Sequence, residues 1–178
     1  MDQARTVTLV LGGVRSGKSR YAQTEAARFR AVTFIATARR SDSEMRRKIA
    51  AHRRARPAAW KTIEAPTDLD AVIRREGQTS DLLLVDCLTT YCGGLLAGRR
   101  SASARRRHID AVIDAIRATS ACMLLVSNEV GSGVVPAFKS GRAFRDLLGE
   151  MNQHVARLAD RVVLLVAGVP IVIKGAQA

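Results

Sequence analysis

A glycine-rich octapeptide near the amino terminus constrains this chain more than any other feature. It reads Gly12-Gly13-Val14-Arg15-Ser16-Gly17-Lys18-Ser19 and matches the pattern G-x-x-x-x-G-K-[ST] in full. An apolar run, Thr6–Leu11, precedes it, and a helical pattern, Ser19–Arg30, follows it. A strand, a glycine-rich turn and a helix in this order form a loop that binds phosphate groups. The sequence therefore predicts an α/β fold with a nucleotide at this loop.

Each part of the loop has a chemical role. The glycines let consecutive backbone N–H groups turn toward phosphate oxygens, and the following helix directs the positive end of its dipole at them. Lys18 is expected to reach the β- and γ-phosphates, and the Ser19 hydroxyl to bind Mg²⁺. We therefore predict that Lys18 acts in catalysis as well as in binding.

The metal needs an acidic partner, and two carboxylates follow apolar strands. Asp86 ends the predicted strand Leu82–Asp86, and ligands of open α/β sheets lie at the carboxyl ends of strands. Asp86 could instead cap the next helix. Glu129 follows the predicted strand Cys122–Ser127 and could hold metal, activate a hydroxyl or cap a turn. We predict Ser19 and Asp86 as the metal ligands.

The rest of the chain alternates short apolar runs with helical patterns, which indicates a mostly parallel sheet with helices on both faces. Only Ala167–Pro170 separates the last two strands, and this predicts an antiparallel C-terminal hairpin. No linker or repeat is evident, so we expect one P-loop domain over residues 1–178. The other predicted strands are Ala31–Ala36, Lys61–Glu64, Arg161–Val166 and Ile171–Lys174, and the other helices are Ser43–Arg54, Asp68–Glu76, Leu88–Leu96, Ala104–Ala118 and Gly141–Ala159.

The net charge of +13 resembles that of a nucleic-acid-binding protein. However, only five of the 29 basic residues are lysine, and the arginines are spread along the chain. Aromatic residues make up 4%, too few to stack bases. We therefore expect a solvated basic surface and no nucleic-acid partner. An RNA-binding module gated by a nucleotide is the non-enzymatic alternative.

Three features bear on the compartment. No apolar run reaches the roughly 18 residues that cross a bilayer. The amino terminus lacks the pattern of a signal peptide. Cys87, Cys92 and Cys122 form no C-x-x-C pair, which disfavours disulfides and zinc. We expect a cytoplasmic protein without membrane insertion.

A basic segment at the end of the predicted helix Ser43–Arg54 goes beyond what a simple kinase needs. His52 lies on the apolar face of this helix, where it would ordinarily be a packing residue. Arg53, Arg54 and Arg56 crowd it, however. Nearby positive charge favours the neutral imidazole with a free nucleophilic nitrogen, and arginines bind phosphates. The segment therefore suits attack by His52 on a phosphorus atom.

Further short segments accompany the loop and His52. They are Ile35-Ala36-Thr37, Glu44-Met45, Arg56-Pro57, Trp60, Val85-Asp86-Cys87-Leu88-Thr89, Val126-Ser127-Asn128-Glu129-Val130-Gly131, Phe144-Arg145-Asp146, Asn152-Gln153 and Ala167-Gly168. With them, nearly the whole chain resembles the bifunctional adenosylcobinamide kinase / adenosylcobinamide-phosphate guanylyltransferase family of cobalamin biosynthesis. The phosphate loop alone occurs in many NTPases, whereas the combination is specific. Val14 departs from the alanine or serine expected there.

The resemblance implies a RecA-like P-loop fold, a homotrimer and two activities. The kinase phosphorylates adenosylcobinamide with ATP or GTP. The transferase then passes GMP from GTP to adenosylcobinamide phosphate through a guanylyl-histidine at His52, giving adenosylcobinamide-GDP and pyrophosphate. The implied nucleotide contacts are Gly12, Gly13, Val14, Arg15, Ser16, Gly17, Lys18, Ser19, Ile35, Ala36, Thr37, Arg53, Arg54, Ala55, Arg56, Glu64 and Asp86.

Two questions stay open at the level of sequence. A small-molecule P-loop kinase with one activity would explain Lys18, Ser19 and Asp86 and leave His52 as a surface residue. The corrinoid site is not visible in the pattern, although the loops Gly93–Ser103 and Gly131–Gly141 are candidates for it.

Overall fold

The structure, a computed structural model, describes residues 4–38, 57–98 and 100–176 of the 178. Within these ranges, seven strands form one sheet and five helices cover it. The strands are β1 (Val7–Gly12), β2 (Val32–Ala36), β3 (Lys61–Glu64), β4 (Leu82–Asp86), β5 (Cys122–Val126), β6 (Arg161–Val166) and β7 (Val169–Lys174), and the helices are α1 (Lys18–Ala26), α2 (Leu69–Glu76), α3 (Leu88–Ala97), α4 (Ala102–Ala118) and α5 (Lys139–Leu158).

The sheet has the strand order β3-β2-β4-β5-β1-β6-β7. Strands β1 to β6 pair in parallel, so all six carboxyl ends lie along one edge, the carboxyl edge. Strand β7 pairs antiparallel with β6. The predicted fold class, a mostly parallel sheet with an antiparallel C-terminal hairpin, is confirmed.

Both faces of the sheet are covered, which explains why the inner strands are apolar almost throughout, whereas the edge strands β3 and β7 are mostly exposed. Alternate residues of β4 point to opposite sides: Leu83 and Val85 belong to one buried cluster, and Leu82 and Leu84 to the other. The first cluster includes residues of α2, α3, α4 and α5, and the second includes residues of α1. The sheet therefore sits between four helices on one face and one on the other, among the described residues.

The C-terminal hairpin is tighter than the sequence predicts. Its turn is Ala167-Gly168, with φ values of +51° and +86°, and β7 begins at Val169 rather than at Ile171. Two residues with positive φ are typical of a two-residue hairpin turn. Pro170 is tolerated inside β7 because this strand forms the edge of the sheet.

Three helix boundaries also differ from the predictions by two residues or more. Helix α1 ends at Ala26 rather than at Arg30, because its last turn tightens to bonds such as Phe29 N–H to Ala26 O (3.1 Å). Helix α4 begins at Ala102, where the Ser101 side chain accepts the N–H of Ala104. Helix α5 begins at Lys139. The predicted helix Ser43–Arg54 lies outside the described residues.

A helix long and apolar enough to cross a membrane is not found in the three described ranges.

Candidate active site

The glycine-rich loop lies at the carboxyl edge, between the end of β1 at Gly12 and the start of α1 at Lys18. Gly12, Arg15 and Gly17 have φ values of +150°, +58° and +97°. These values turn the backbone back on itself between a strand and a helix, and the first turn of α1 directs its N–H groups toward the concavity. This is the geometry of an anion-binding loop.

Gly12 occupies a position that has no room for a side chain. A Cβ there would lie 2.5 Å from the carbonyl oxygen of Leu165 in β6 and 2.6 Å from Ser16 Oγ. The first neighbour is main chain and cannot rotate away. Gly13 differs, because no heavy atom lies within 4 Å of the position that a Cβ would take there.

These two glycines allow a matched test of the loop. We expect Gly12→Ala to lower the free energy of unfolding by more than about 2 kcal/mol, since the new methyl group meets a backbone carbonyl and φ stays positive. Gly13→Ala, the same change next to it, should stay within about 0.5 kcal/mol of the parent. Urea titration of the nucleotide-free proteins measures both values. Equal losses in the two variants would contradict the close packing of the loop on β6.

Lys18 turns into the loop rather than out to solvent. Its side chain is buried, and Nζ donates to the Gly13 carbonyl oxygen (2.5 Å) and lies 3.4 Å from Ser16 Oγ. Burial lowers the pKa of the Lys18 ammonium, and the negative charge of Asp86 opposes that shift in part. The ammonium is thus held inside the concavity where phosphate oxygens would lie, with little competing water.

Asp86 ends β4, which is separated from β1 by β5 alone. Two strand spacings put the ends of β4 and β1 about 10 Å apart along the carboxyl edge. Ser19, in the first turn of α1, is partly accessible. A hydroxyl and a carboxylate at one edge are oxygen donors of the kind that Mg²⁺ takes together with substrate phosphates.

No cluster of three or more His, Cys, Asp or Glu residues that could hold a metal occurs in the described ranges. The Ser19 hydroxyl and the Asp86 carboxylate are oxygen donors, which suit Mg²⁺, an ion that keeps several waters and binds substrate phosphates, better than zinc.

The backbone after Asp86 is held by Thr37, a buried threonine that directly follows β2. Thr37 Oγ1 accepts the N–H of Cys87 (2.9 Å) and donates to the Cys87 carbonyl oxygen (2.5 Å). It also lies 2.6 Å from Thr90 Oγ1 at the start of α3. The Asp86–Cys87 peptide bond is cis. Burial, with Asp86 adding to it, raises the pKa of the Cys87 thiol, which therefore stays protonated at neutral pH. Thr37 thus fixes the turn that carries Asp86.

A second buried group holds the end of β5 beside the loop. Asn152 of α5 accepts the Ser127 hydroxyl at Oδ1 (2.6 Å) and donates from Nδ2 to the Asn128 carbonyl oxygen (3.0 Å). The Asn128 N–H donates to Thr89 Oγ1 (2.9 Å). One side chain from α5 therefore ties the end of β5, and through it the start of α3, to the core.

Two main-chain bonds join the neighbouring segments to the loop itself. The Glu129 N–H donates to the Gly12 carbonyl oxygen (3.1 Å), and the Gly168 N–H donates to the Ser16 carbonyl oxygen (3.0 Å). The first bond comes from the segment after β5 and the second from the turn of the β6–β7 hairpin. The phosphate loop is thus braced from both sides.

Glu129 had three predicted roles, and the structure shows the turn cap. Its carboxylate Oε1 accepts the N–H of Gly131 (2.8 Å), while the residue itself is exposed.

The structure spreads the other predicted nucleotide contacts over the carboxyl edge. Ile35 is fully buried in the core, so any contact it makes with a ligand is through its backbone. Glu64 ends β3, four strands from β1, or about 20 Å along the sheet. Val14 is 82% exposed at the tip of the loop. His52, Arg53, Arg54, Ala55 and Arg56 lie outside the described residues. The assignment of these residues to nucleotide binding stays a prediction.

The roles of Asn152 and Gly168 in bracing the site were missed from the sequence. The sequence pattern does single out Asn152, because it is a polar residue among Leu148, Met151 and Val155 on the apolar face of α5. A polar group on a buried face needs partners there. The glycine at position 168 indicates a turn in the sequence, but it does not indicate which segment that turn contacts.

Comparison with known proteins gives one family. Residues 8–173 match the family model described as CobU, cobinamide kinase / cobinamide phosphate guanyltransferase. The bifunctional adenosylcobalamin biosynthesis protein CobP of Pseudomonas aeruginosa is 43% identical over 171 residues, which cover 94% of this chain and 96% of that protein. The proteins named CobU of Escherichia coli and Salmonella typhimurium are 36% and 39% identical, each over 93% of this chain and 98% of theirs.

Solved structures extend the likeness in fold alone. A protein of Pyrococcus horikoshii superposes with a TM-score of 0.58 at 8% identity, covering 97% of this chain and 87% of that one. An ATPase of a bacterial type III secretion system has the same TM-score at 11% identity, covering 90% of this chain and 52% of that one.

Proposed function

The chain belongs to the cobinamide kinase / cobinamide phosphate guanyltransferase family, and from this premise we propose that it phosphorylates adenosylcobinamide with ATP or GTP and then transfers GMP from GTP to the product. The chain is a transferase. The observation that carries the proposal is the family match over residues 8–173 together with a formed phosphate loop that holds Lys18 inside it. A single domain, residues 1–178, carries both reactions.

In the kinase step, the hydroxyl oxygen of adenosylcobinamide attacks the γ-phosphorus of the nucleotide. The bond from that phosphorus to the β–γ bridging oxygen breaks, and a nucleoside diphosphate leaves. Lys18 stabilises the charge that develops on the phosphate oxygens, because its ammonium is fixed in place before the reaction begins. Backbone N–H groups of the loop orient the phosphates.

The Ser19 hydroxyl and the Asp86 carboxylate would hold Mg²⁺ at the nucleotide. When bound, the ion supplies positive charge between the phosphate oxygens. Thr37 supports this pair, since it fixes the turn that follows Asp86.

In the guanylyl transfer, a nitrogen of His52 attacks the α-phosphorus of GTP and pyrophosphate leaves. A phosphate oxygen of adenosylcobinamide phosphate then attacks the same phosphorus, the nitrogen–phosphorus bond breaks, and His52 is regenerated. The products are adenosylcobinamide-GDP and pyrophosphate. Support comes from the family match and from Arg53, Arg54 and Arg56, which supply positive charge next to His52 in the sequence.

The proposal is tested by supplying each substrate in turn. With adenosylcobinamide and MgATP, we expect a product that is heavier by one phosphoryl group. Addition of MgGTP should then give adenosylcobinamide-GDP and release one pyrophosphate per product, both measured by liquid chromatography and mass spectrometry. Formation of the phosphorylated product without any transfer of GMP would favour the alternative, a kinase with one activity. Absence of both products would contradict the proposal.

The assembly and the compartment are part of the proposal. A homotrimer would have a mass of about three times the 19.3 kDa of one chain, which light scattering measures. A cytoplasmic location suits an enzyme that consumes nucleoside triphosphates. It also suits Cys87, Cys92 and Cys122, which are free thiols.

A further inference from the structure

An uncharged segment beside the phosphate loop presents three apolar side chains to solvent. Val134, Val135 and Phe138 are 95%, 62% and 80% exposed. We call these three residues the apolar ledge. Large apolar side chains exposed in such a short stretch usually mark a contact surface. The kinase and transferase chemistry described above does not use them.

The ledge is held in place by its neighbours. Arg142 of α5 donates from Nη1 to the carbonyl oxygens of Pro136 (2.9 Å) and Ala137 (2.7 Å). Pro136 also packs against the first turn of α5, since a Cβ added at Gly141 would lie 2.7 Å from Pro136 Cβ. The backbone at Pro136 and Ala137, between the two valines and Phe138, is therefore held against α5, which lowers the cost of ordering the ledge when a ligand binds.

The ledge is also tied to the phosphate loop. It follows Glu129, whose N–H donates to the carbonyl oxygen of Gly12. Val134 comes five residues after Glu129, so the chain cannot carry it more than about 17 Å away. The ledge is therefore confined to the surroundings of the loop that holds Lys18.

The charge of the segment indicates what kind of ligand it receives. The eight residues from Gly131 to Phe138 include no charged side chain, in a chain of which 25% is charged and whose net charge is +13. The nearest cations in the chain are Lys139, which follows Phe138, and Arg142, whose Nη1 already donates to main-chain carbonyl oxygens of the segment. An uncharged apolar surface matches the ledge better than a polyanion does.

The size of the ledge argues against a second copy of the chain as its main occupant. The side chains of two valines and a phenylalanine can bury on the order of 300 Å² of apolar surface. A stable interface between proteins buries about 800 Å² on each partner. The ledge alone falls well short of that area, whereas it is wide enough to cover one face of a flat macrocycle.

We propose that the apolar ledge receives one face of the corrin ring of the acceptor, with the hydroxyl-bearing arm directed at the phosphate loop. This inference rests on the proposed function, because it names where the acceptor of that reaction binds. The corrin ring bears methyl groups, and its reactive hydroxyl lies at the end of an arm. The chain keeps Val134 within about 17 Å of Glu129, which bonds to the loop, so the ring on the ledge and the arm at the loop are compatible with the structure.

The test is the double variant Val134→Ser/Phe138→Ser. We expect the affinity for cobinamide, measured by equilibrium dialysis, to fall about tenfold to a hundredfold, and KM for cobinamide to rise by a similar factor. KM for the nucleotide should not change. A conservative variant, Val134→Ile/Phe138→Leu, should keep the affinity within about threefold of the parent. Ile173→Thr is the matched control, because Ile173 is an exposed apolar residue (57%) near the far end of β7, and this variant should leave the affinity for cobinamide unchanged.

The outcomes separate this inference from the proposed function. Unchanged cobinamide affinity in the serine variant would overturn the inference. If light scattering also showed that this variant forms a smaller assembly, the ledge would be assigned to contact with a second copy of the chain. If the unaltered protein neither binds nor phosphorylates cobinamide, the proposed function fails first and the inference fails with it. A loss of cobinamide affinity in the serine variant alone, with nucleotide affinity retained, supports both.

Discussion

Replacing His52 by alanine is expected to abolish covalent labelling of the protein by GTP that carries its label at the α-phosphate. The parent protein, incubated with MgGTP in the absence of corrinoid, should keep the label through a denaturing gel. A phosphorus–nitrogen bond is labile in acid and stable in base, so brief acid treatment should remove the label. Transfer of GMP should fall in the variant by at least about a thousandfold, because the nucleophile is gone.

The same variant separates the two activities. Phosphorylation of adenosylcobinamide should continue in His52→Ala, since Lys18 and Ser19 are unchanged. His108→Ala, which alters a half-buried histidine of α4, is the matched control and should label fully. GTP labelled at the γ-phosphate should leave no label on the parent. Undiminished labelling of His52→Ala, or failure of the parent to take up label while it binds GTP, would refute the guanylyl-histidine.

Replacing Lys18 by methionine is expected to disable the phosphate loop without unfolding the protein. Methionine fills a similar volume but has no charge and no donor for the Gly13 carbonyl oxygen. We expect the rate of cobinamide phosphorylation to fall by about a hundredfold to a thousandfold, because the positive charge at the phosphate oxygens is lost. Since burial lowers the pKa of the Lys18 ammonium, the folded chain bears a cost for holding this charge. The free energy of unfolding without nucleotide should therefore change by less than about 1 kcal/mol.

Thermal unfolding with and without MgGTP checks this prediction. The nucleotide should raise the Tm of the parent protein and leave that of Lys18→Met nearly unchanged, because a ligand that binds weakly stabilises little. Lys174→Met is the matched control. Lys174 Nζ also donates to main-chain carbonyl oxygens, those of Ala156 (2.9 Å) and Arg157 (3.2 Å), but at the opposite edge of the sheet. Equal stabilisation of Lys18→Met and the parent by MgGTP would contradict the role given to Lys18.

Local sequence patterns were sufficient for much of the fold. Short apolar runs located the inner strands to within two residues, because a strand that is buried on both faces must be apolar along most of its length. The short connection after Val166 predicted the hairpin correctly. The misplaced boundaries came from turns, where one residue such as Pro170 can either end a strand or sit in an edge strand.

Short sequence motifs predict the chemical groups of the site: a phosphate loop after a strand, a lysine and a hydroxyl at the end of that loop, and an aspartate at the end of another strand. Residues adjacent in the chain carry that information, so it can be read without a structure. The folded chain was needed to show that β5 lies between β1 and β4, that Asn152 of α5 holds Ser127 and Asn128, and that Gly168 bonds to Ser16. These contacts join residues far apart in the chain. Many strand orders satisfy the same alternation of strands and helices, and packing of the whole core selects among them.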